Sequence, residues 1–447
     1  MSAITALAAS IAAIIVWNVL LRRNVGEAMI VGFLVTAAFA GGDAPEVAWD
    51  GLVTALKEPI TFAALAFVFV STVLSEAGLM QRLVDILSSL LGRFRGGSAY
   101  AATASAGLFS TVAHAGPAIA ATIGSITIPW MRRSNTDGET AALITAGNAG
   151  MGTTFPFGAA FFVLLASPTV SPVLDSSDVV PTMFVAGTWM VVMRLAITLV
   201  IVRRRGITAM SPDDIQPLRR TLGRGWTSML IFVGIAVPVL ATMGPTGHFV
   251  EHRIGEAGAE AIDLLIWMPV LVLLAGILVG RKTLPRGSRA WWRLLDTIGP
   301  KLSVVGVTMV CAFAASNVLN DLGLADQLGR QLHRLDGAPA LLVAVLVGLV
   351  VVTVAGPLNS TATTAAVGPV GFLALTTAGV PPVAAFAALL VFASSEGASP
   401  PGAAPIYVAS GIAEINPVRI FGPIIAYYLV PSLLFGVLIA TGVLWVP

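Results

Sequence analysis

Helix-breaking and hydroxyl-bearing residues whose oxygens could coordinate a small ion collect at two places in this chain. Residues 110–122 read STVAHAGPAIAAT and residues 352–364 read VTVAGPLNSTATT. Both set Gly, Pro and hydroxyls inside an apolar run, and Thr-Val-Ala recurs at 111–113 and 353–355. A second break follows each cluster, GMGTTFP at 150–156 and ASSEGASPP at 393–401, and Gly-Ala-Ala recurs at 158–160 and 402–404. Unwound backbone frees carbonyl oxygens that Asn and Thr side chains supplement, so a site of about five or six oxygens for Na+ needs no acidic cluster. The residues read as substrate-binding are His114, Gly116, Asn148, Thr153, Thr154, Asn359, Ser360 and Glu396. The clusters and breaks also offer Gly152, Pro156, Gly356, Asn359, Thr361, Ser399 and Pro400, whose oxygens suit a small cation such as Na+, and nothing in the pattern calls for an organic cofactor.

Each of these residues also has a plainer reading. Ser and Thr in membrane helices commonly bond back to their own turn or bridge neighbouring helices. His114 either bonds a substrate oxygen or is a hydrogen-bonded packing residue. Glu396 is the most suggestive side chain, because a charge at membrane depth costs about 2.5 to 3.5 kcal/mol. It reads as a cation ligand or proton carrier, or else as a protonated or paired structural carboxyl. Arg194 is expected to snorkel or to contact a partner helix, with no role in transport. Cys311 is the single cysteine and reads as a small core residue.

Composition sets the class of molecule that carries these clusters. The chain has 447 residues, 56% hydrophobic and 11% charged, with mean hydropathy +0.90. A water-soluble globule would be about 25% charged, so this is a polytopic membrane protein. The net charge of +2 gives no reason to expect a nucleic-acid partner. No phosphate loop, nucleophile elbow or HExxH-type motif occurs, so the chain reads as no enzyme.

Ten apolar stretches are long enough to span: 3–21, 26–41, 60–79, 140–166, 181–202, 226–243, 262–280, 302–319, 382–409 and 420–446. The first lacks the basic flank of a cleaved signal peptide. Two further tracts, about 96–130 and 339–375, are interrupted at the repeated clusters and read as re-entrant hairpins. With both termini outside, the inner loops hold most of the 25 Lys and Arg, including Arg93, Arg95, Arg132, Arg203 and Arg281. The outer loops hold acidic runs around Asp43, Glu46 and Asp50, around Asp175 and Asp178, and around Glu251, Glu256 and Glu260.

Five crossings per half then make the halves opposite in orientation. The first repeat is 1–205 with a cytoplasm-opening hairpin, 206–225 is a cytoplasmic linker, and 226–447 is the inverted second repeat with an outside-opening hairpin. An amphipathic stretch precedes each hairpin. Leu83, Ile86, Leu87, Leu90 and Phe94 alternate with Arg82, Asp85, Ser89 and Arg93; in the second half Leu324, Leu328, Leu332 and Leu335 alternate with Asp326, Arg330 and Arg334.

Three motifs carry a family likeness: LLGRFRGG at 90–97, IGSITIPWMRR at 123–133, and SPPG at 399–402 followed by VASGIA at 408–413. In these, and in segment order over nearly the whole chain, the sequence resembles the large membrane subunit of TRAP transporters. The resemblance implies an all-α, inverted-repeat, elevator-type transporter with two re-entrant helical hairpins and two broken helices. It further implies a small organic anion, a carboxylate, as cargo, carried across a bacterial inner membrane with Na+. A four-helix small membrane subunit and a periplasmic solute-binding protein would be its partners. Where the family's first hairpin is typically Ser-Gly-Ser, this chain has Ala113, His114 and Ala115. That departure keeps open a stand-alone Na+ or H+ coupled organic-anion permease, and a cation or proton antiporter using Glu396 and His114.

Overall fold

The computed structural model describes residues 3–447 except 22, 58, 213–214, 243, 256–257, 259–263, 285–286, 325–326, 328–336, 356–357 and 401–402. The described residues form helices joined by short turns. In the first half these are α1 (Ala3–Ile15), α2 (Val25–Ala38), α3 (Ala44–Lys57), α4 (Pro59–Glu76), α5 (Leu79–Leu91), α6 (Gly97–Ser110), α7 (Gly116–Arg133), α8 (Gly138–Asn148), α9 (Ala159–Leu165) and α10 (Ser176–Arg205). Then come α11 (Leu218–Gly225), α12 (Ile231–Thr242), α13 (Gly244–Ile254), α14 (Leu264–Gly280), α15 (Ser288–Asp321), α16 (Ala340–Ala355), α17 (Ser360–Thr377), α18 (Pro382–Ala393), α19 (Ala404–Ala413), α20 (Phe421–Ile424) and α21 (Val430–Ala440).

The helices pack as two groups. In one, α2 and α3 lie against α15, α1 against α2, and α4 and α12 against α14. The other gathers α6 to α10 with α16 to α21: α19 packs on α7 and α8, α17 on α9 and α18, and α21 on α16 and α18. Contacts of α15 with α9 and α17, and of α5 with α6, join the groups. A stretch of the second group, Gly138–Leu165, is almost wholly enclosed by protein. Irregular backbone at membrane depth is tolerated only in such a setting, because hydrocarbon offers its amides no partner.

Several expectations are changed by the structure. The span placed at 302–319 is the end of one 34-residue helix beginning at Ser288. At 1.5 Å per residue it is about 51 Å long and exceeds a hydrocarbon core of about 30 Å, so Arg289 and Arg293 ride on helix beyond the apolar span. The acidic run around Glu46 and Asp50 is helix α3, with Glu46 in its first turn and Lys57 in its last, where each suits the helix dipole. Of the two readings of Arg194, the contact with a partner helix holds and snorkelling does not, because its side chain is wholly buried. Midway along α10 it donates to Ser432 Oγ at 2.9 Å, and its guanidinium lies 4.9 Å from the centre of the Tyr428 ring.

The first amphipathic stretch is helical, as α5, and buries Leu83 of its apolar set, but the burial does not follow the apolar stripe to its end. Leu90 and Phe94 are exposed while Ser88 and Ser89 are buried. The reason is α11, part of the linker, which packs along α5 with Thr221 Oγ1 donating to Ser89 Oγ at 3.0 Å. Of the second stretch only Leu324 among the leucines is described; Leu328, Leu332 and Leu335 lie outside the described residues.

Candidate functional site

Helix-breaking residues dictate the local backbone at both breaks. Gly costs a helix about 1 kcal/mol and Pro about 3 relative to Ala. After α8 the chain tightens into 3-10 turns over Ala149–Thr154, and α18 does the same over Ser394–Ala398. A proline pushes its predecessor out of helical conformation. Phe155, before Pro156, is extended at φ −101 and ψ 153; Ser399, before Pro400, has φ −106 and ψ 87. Phe157 then adopts φ +70, a left-handed conformation uncommon for a bulky residue. It is held there by tilted and edge contacts with Phe161, Phe162 and Phe184 at centroid distances of 5.8, 6.4 and 6.4 Å.

The two breaks meet. A Cβ on Gly150 would overlap the carbonyl oxygen of Ser394, and one on Gly397 would stand 2.8 Å from the Gly150 nitrogen. Glycine is required at this crossing by the close approach of the two backbones. The tip of the first hairpin, residues 111–115, lies on the first break. His114 Nε2 is 2.8 Å from the Pro156 carbonyl oxygen, and a Cβ on Gly152 would come within 2.8 Å of His114 Cα.

Glu396, 8% exposed, ties the second break to both hairpins. Its Oε2 accepts the backbone N–H of Ser360, the first residue of α17. Its Oε1 faces Gly116, the first residue of α7, where an added Cβ would lie 3.2 Å from that oxygen. The carboxyl therefore sits beside the starts of two 18-residue helices, whose free N–H groups and dipoles favour negative charge. No Lys or Arg occurs in 96–131 or 337–418, so these N-termini supply the positive character of the junction.

The other sequence-derived candidates divide by what their side chains do. Asn359 caps α17 by accepting from Ala362 N–H at 2.8 Å. Thr154 donates back to the Met151 carbonyl at 2.8 Å and Ser399 to that of Ser395 at 2.8 Å. Asn148 donates to Thr103 Oγ1 at 2.9 Å, leaving its amide oxygen unpaired. Thr153 is 3% exposed with an unpaired hydroxyl. Thr361 and Pro400 are half-buried, Ser360 and Gly152 are buried, and Gly356 lies outside the described residues.

Sequence reasoning missed Ser395, Thr363 and Thr364, whose buried hydroxyls are unpaired, and Thr103, which fixes Asn148. Position within one turn of a break could have flagged Ser395, and position in the first two turns of α17 the two threonines. Thr103 lies mid-helix and has no such signal. An unpaired buried polar atom costs about 1 to 3 kcal/mol, so each of these hydroxyls is a standing demand for a polar partner.

Crossed helix breaks, hairpin tips and unpaired oxygens inside an apolar helical bundle fit a multi-pass membrane protein with a polar site in its interior. Residues 5–445 match the family described as tripartite ATP-independent periplasmic transporter, DctM component, and the chain belongs to that family. One relative is the C4-dicarboxylate TRAP transporter large permease protein DctM of Vibrio cholerae serotype O1, 30% identical over 105 residues. That match covers 24% of this chain and 23% of the relative, so the chain spans under a quarter of its length. Among solved structures, the Alcanivorax borkumensis YdaH transporter is similar with TM-score 0.66 at 16% identity, over 90% of this chain and 89% of that one. Neisseria gonorrhoeae MtrF, described as illuminating a class of antimetabolite efflux pumps, gives TM-score 0.64 at 14% identity, over 91% and 85%. At these identities the likeness concerns the fold.

Proposed function

We propose that this chain is the permease of a secondary transporter that moves a small organic anion, a dicarboxylate, across the bacterial inner membrane by ion-coupled alternating access. The observation that carries the reading is the junction on Glu396, where a helix break is joined to the starts of both return helices. Parts that meet at one buried point can open to one side through one hairpin and to the other side through its counterpart. In an elevator mechanism the moving body is the helix group that carries both hairpins and both breaks. The frame is the group built on α2, α14 and α15.

The substrate carboxylates take the N–H groups of the first turn of α7 together with the Thr153, Ser395 and Thr363 hydroxyls, while the starting N–H groups of α17 stay with Glu396 and Asn359. Na+ takes carbonyl and hydroxyl oxygens of the breaks and of the second tip, including Gly152, Thr361 and Ser399. The relative's name supports the dicarboxylate class. The family description supports a periplasmic binding protein and a small membrane subunit as partners.

Glu396 also supports a second reading, in which H+ is the coupling ion and this carboxyl carries it. Uptake of C4-dicarboxylates into proteoliposomes separates the two, with Na+ and pH gradients imposed independently and the chain reconstituted alone and with both partners. Uptake driven by Na+ alone is the expected result. Uptake driven only by a pH gradient and abolished by Glu396→Gln would transfer the coupling to protons. Absence of carboxylate uptake under either gradient, with all partners present, would sink the proposal.

A further inference from the structure

We propose that Arg95, Tyr100 and Arg203 hold the phosphate of an anionic phospholipid of the inner leaflet, at a site apart from the transport junction. These three residues, with Leu199 and Val202, line a cleft of about 290 Å³ between the base of the first hairpin and the end of α10. The two guanidiniums come from stretches far apart in sequence, and the backbone fixes their separation. Gly96, at φ +73, turns the chain into α6 against α10, where a Cβ would overlap the Val202 side chain. Gly96 N–H donates to the Thr208 carbonyl at 3.1 Å, and Met210 N–H to the Gly92 carbonyl at 3.2 Å. The cleft is therefore built by the fold.

Charge decides what it takes. No acidic side chain lines it, and neither Arg95 nor Arg203 has a carboxylate partner in the described ion pairs. The adjacent Arg204 is already engaged, donating to the Tyr427 hydroxyl at 3.1 Å. Two planar guanidiniums and a phenol are matched to phosphate oxygens, which Arg binds through paired N–H groups. Both arginines belong to segments assigned to the cytoplasmic side, where the leaflet is anionic and basic pockets between helices take lipid headgroups.

The apolar wall selects a lipid over free phosphate. Val192, Ala196 and Leu199 are exposed on α10 at spacings of four and three, one stripe that leads down the helix to Arg203. Val192 is 49% and Leu199 37% exposed, so an acyl chain can lie along this stripe with its headgroup at the guanidinium. Bound there, the lipid would bridge the hairpin base and α10.

The test uses the purified full chain, delipidated in neutral detergent, with thermal stability followed as lipid is added. Dioleoylphosphatidylglycerol is expected to raise the Tm of the wild type and of the exposed control Arg132→Gln. At about fivefold per guanidinium, Arg95→Gln/Arg203→Gln should weaken the apparent affinity by about 25-fold. Should the double variant prove unstable, Arg203→Lys serves, since it keeps the charge, loses the fork and should fall between the two. Native mass spectrometry should retain one more phosphatidylglycerol on the wild type than on the double variant. An equal response of wild type and double variant would overturn the proposal. So would equal shifts with dioleoylphosphatidylcholine, or with inorganic phosphate at matched concentration.

Discussion

At the scale of single residues, the junction depends on atoms that are absent as much as on atoms that are present. Gly150 has no room for a methyl group because the Ser394 carbonyl occupies that place. Gly150→Ala should cost about 1 to 3 kcal/mol of stability by forcing the two breaks apart. It should also reduce uptake at least tenfold. Gly411, inside α19, has no neighbour within 4 Å of a built Cβ, so Gly411→Ala should be neutral or slightly stabilising. Thermal denaturation and initial uptake rates of this pair check both statements, and equal behaviour of the two variants would remove the close approach as the cause. Asn359 makes a complementary case, because its side chain caps α17 beside the Ser360 amide that Glu396 accepts. Asn359→Ala should lose about 1 kcal/mol of helix stability and weaken substrate or Na+ binding, whereas Asn359→Ser should retain most of both. Binding isotherms with each ligand separate those effects; unchanged affinities in the alanine variant would take Asn359 out of the site.

At the scale of elements, a polar ladder fixes the first hairpin to its neighbours. Asn148 at the end of α8 donates to Thr103 on α6, Thr103 pairs with Thr198 on α10 at 2.8 Å, and Thr198 donates to the Arg194 carbonyl at 2.8 Å. All four side chains are buried, and each removal leaves a different atom unsatisfied. Thr103→Val strands the Asn148 amide and should destabilise by about 1 to 3 kcal/mol. Thr198→Val leaves Thr103 still bonded to Asn148 and to the Ala99 carbonyl, so its cost should be the smaller of the two. Denaturation midpoints in one detergent decide the order, and a larger loss in Thr198→Val would contradict the ladder as drawn. Arg194 shows why such contacts escape a reading of one segment at a time. Its partners Tyr428 and Ser432 lie more than 230 residues further on, and no spacing within α10 announces them.

At the scale of the whole molecule, the sidedness of the helices is the claim with the widest reach. α10 has 30 residues and about 45 Å of length, enough to carry Ser177 and Arg205 to opposite faces of the bilayer. In a background of Cys311→Ala, Ser177→Cys should react with an impermeant thiol reagent from the outside. Arg205→Cys and Arg281→Cys should react only once the inside is opened. Labelling of Arg205→Cys and Arg281→Cys from different faces would break the inverted arrangement of the halves.

Composition alone determined that the chain lives in a bilayer, because so few charges cannot cover a water-facing surface. Gly, Pro and hydroxyl spacing located the turn at 111–115 and the breaks at 149–154 and 394–398, since those residues act on their own backbone and need no neighbour to do so. Helix ends were less legible: α15 starts well before its apolar stretch, because backbone hydrogen bonds continue through polar residues once a helix is nucleated. What only the tertiary structure decided is which of these local events share a point in space. Glu396 lies 36 residues from Ser360 and 280 from Gly116, yet its carboxyl lies beside both helix starts. The same limit applied to Ser89 of α5, whose burial follows from α11 packing along that helix. A residue's effect on its own dihedrals is written in its type, whereas its partners follow from how whole helices stack, and that is a property of the assembled chain.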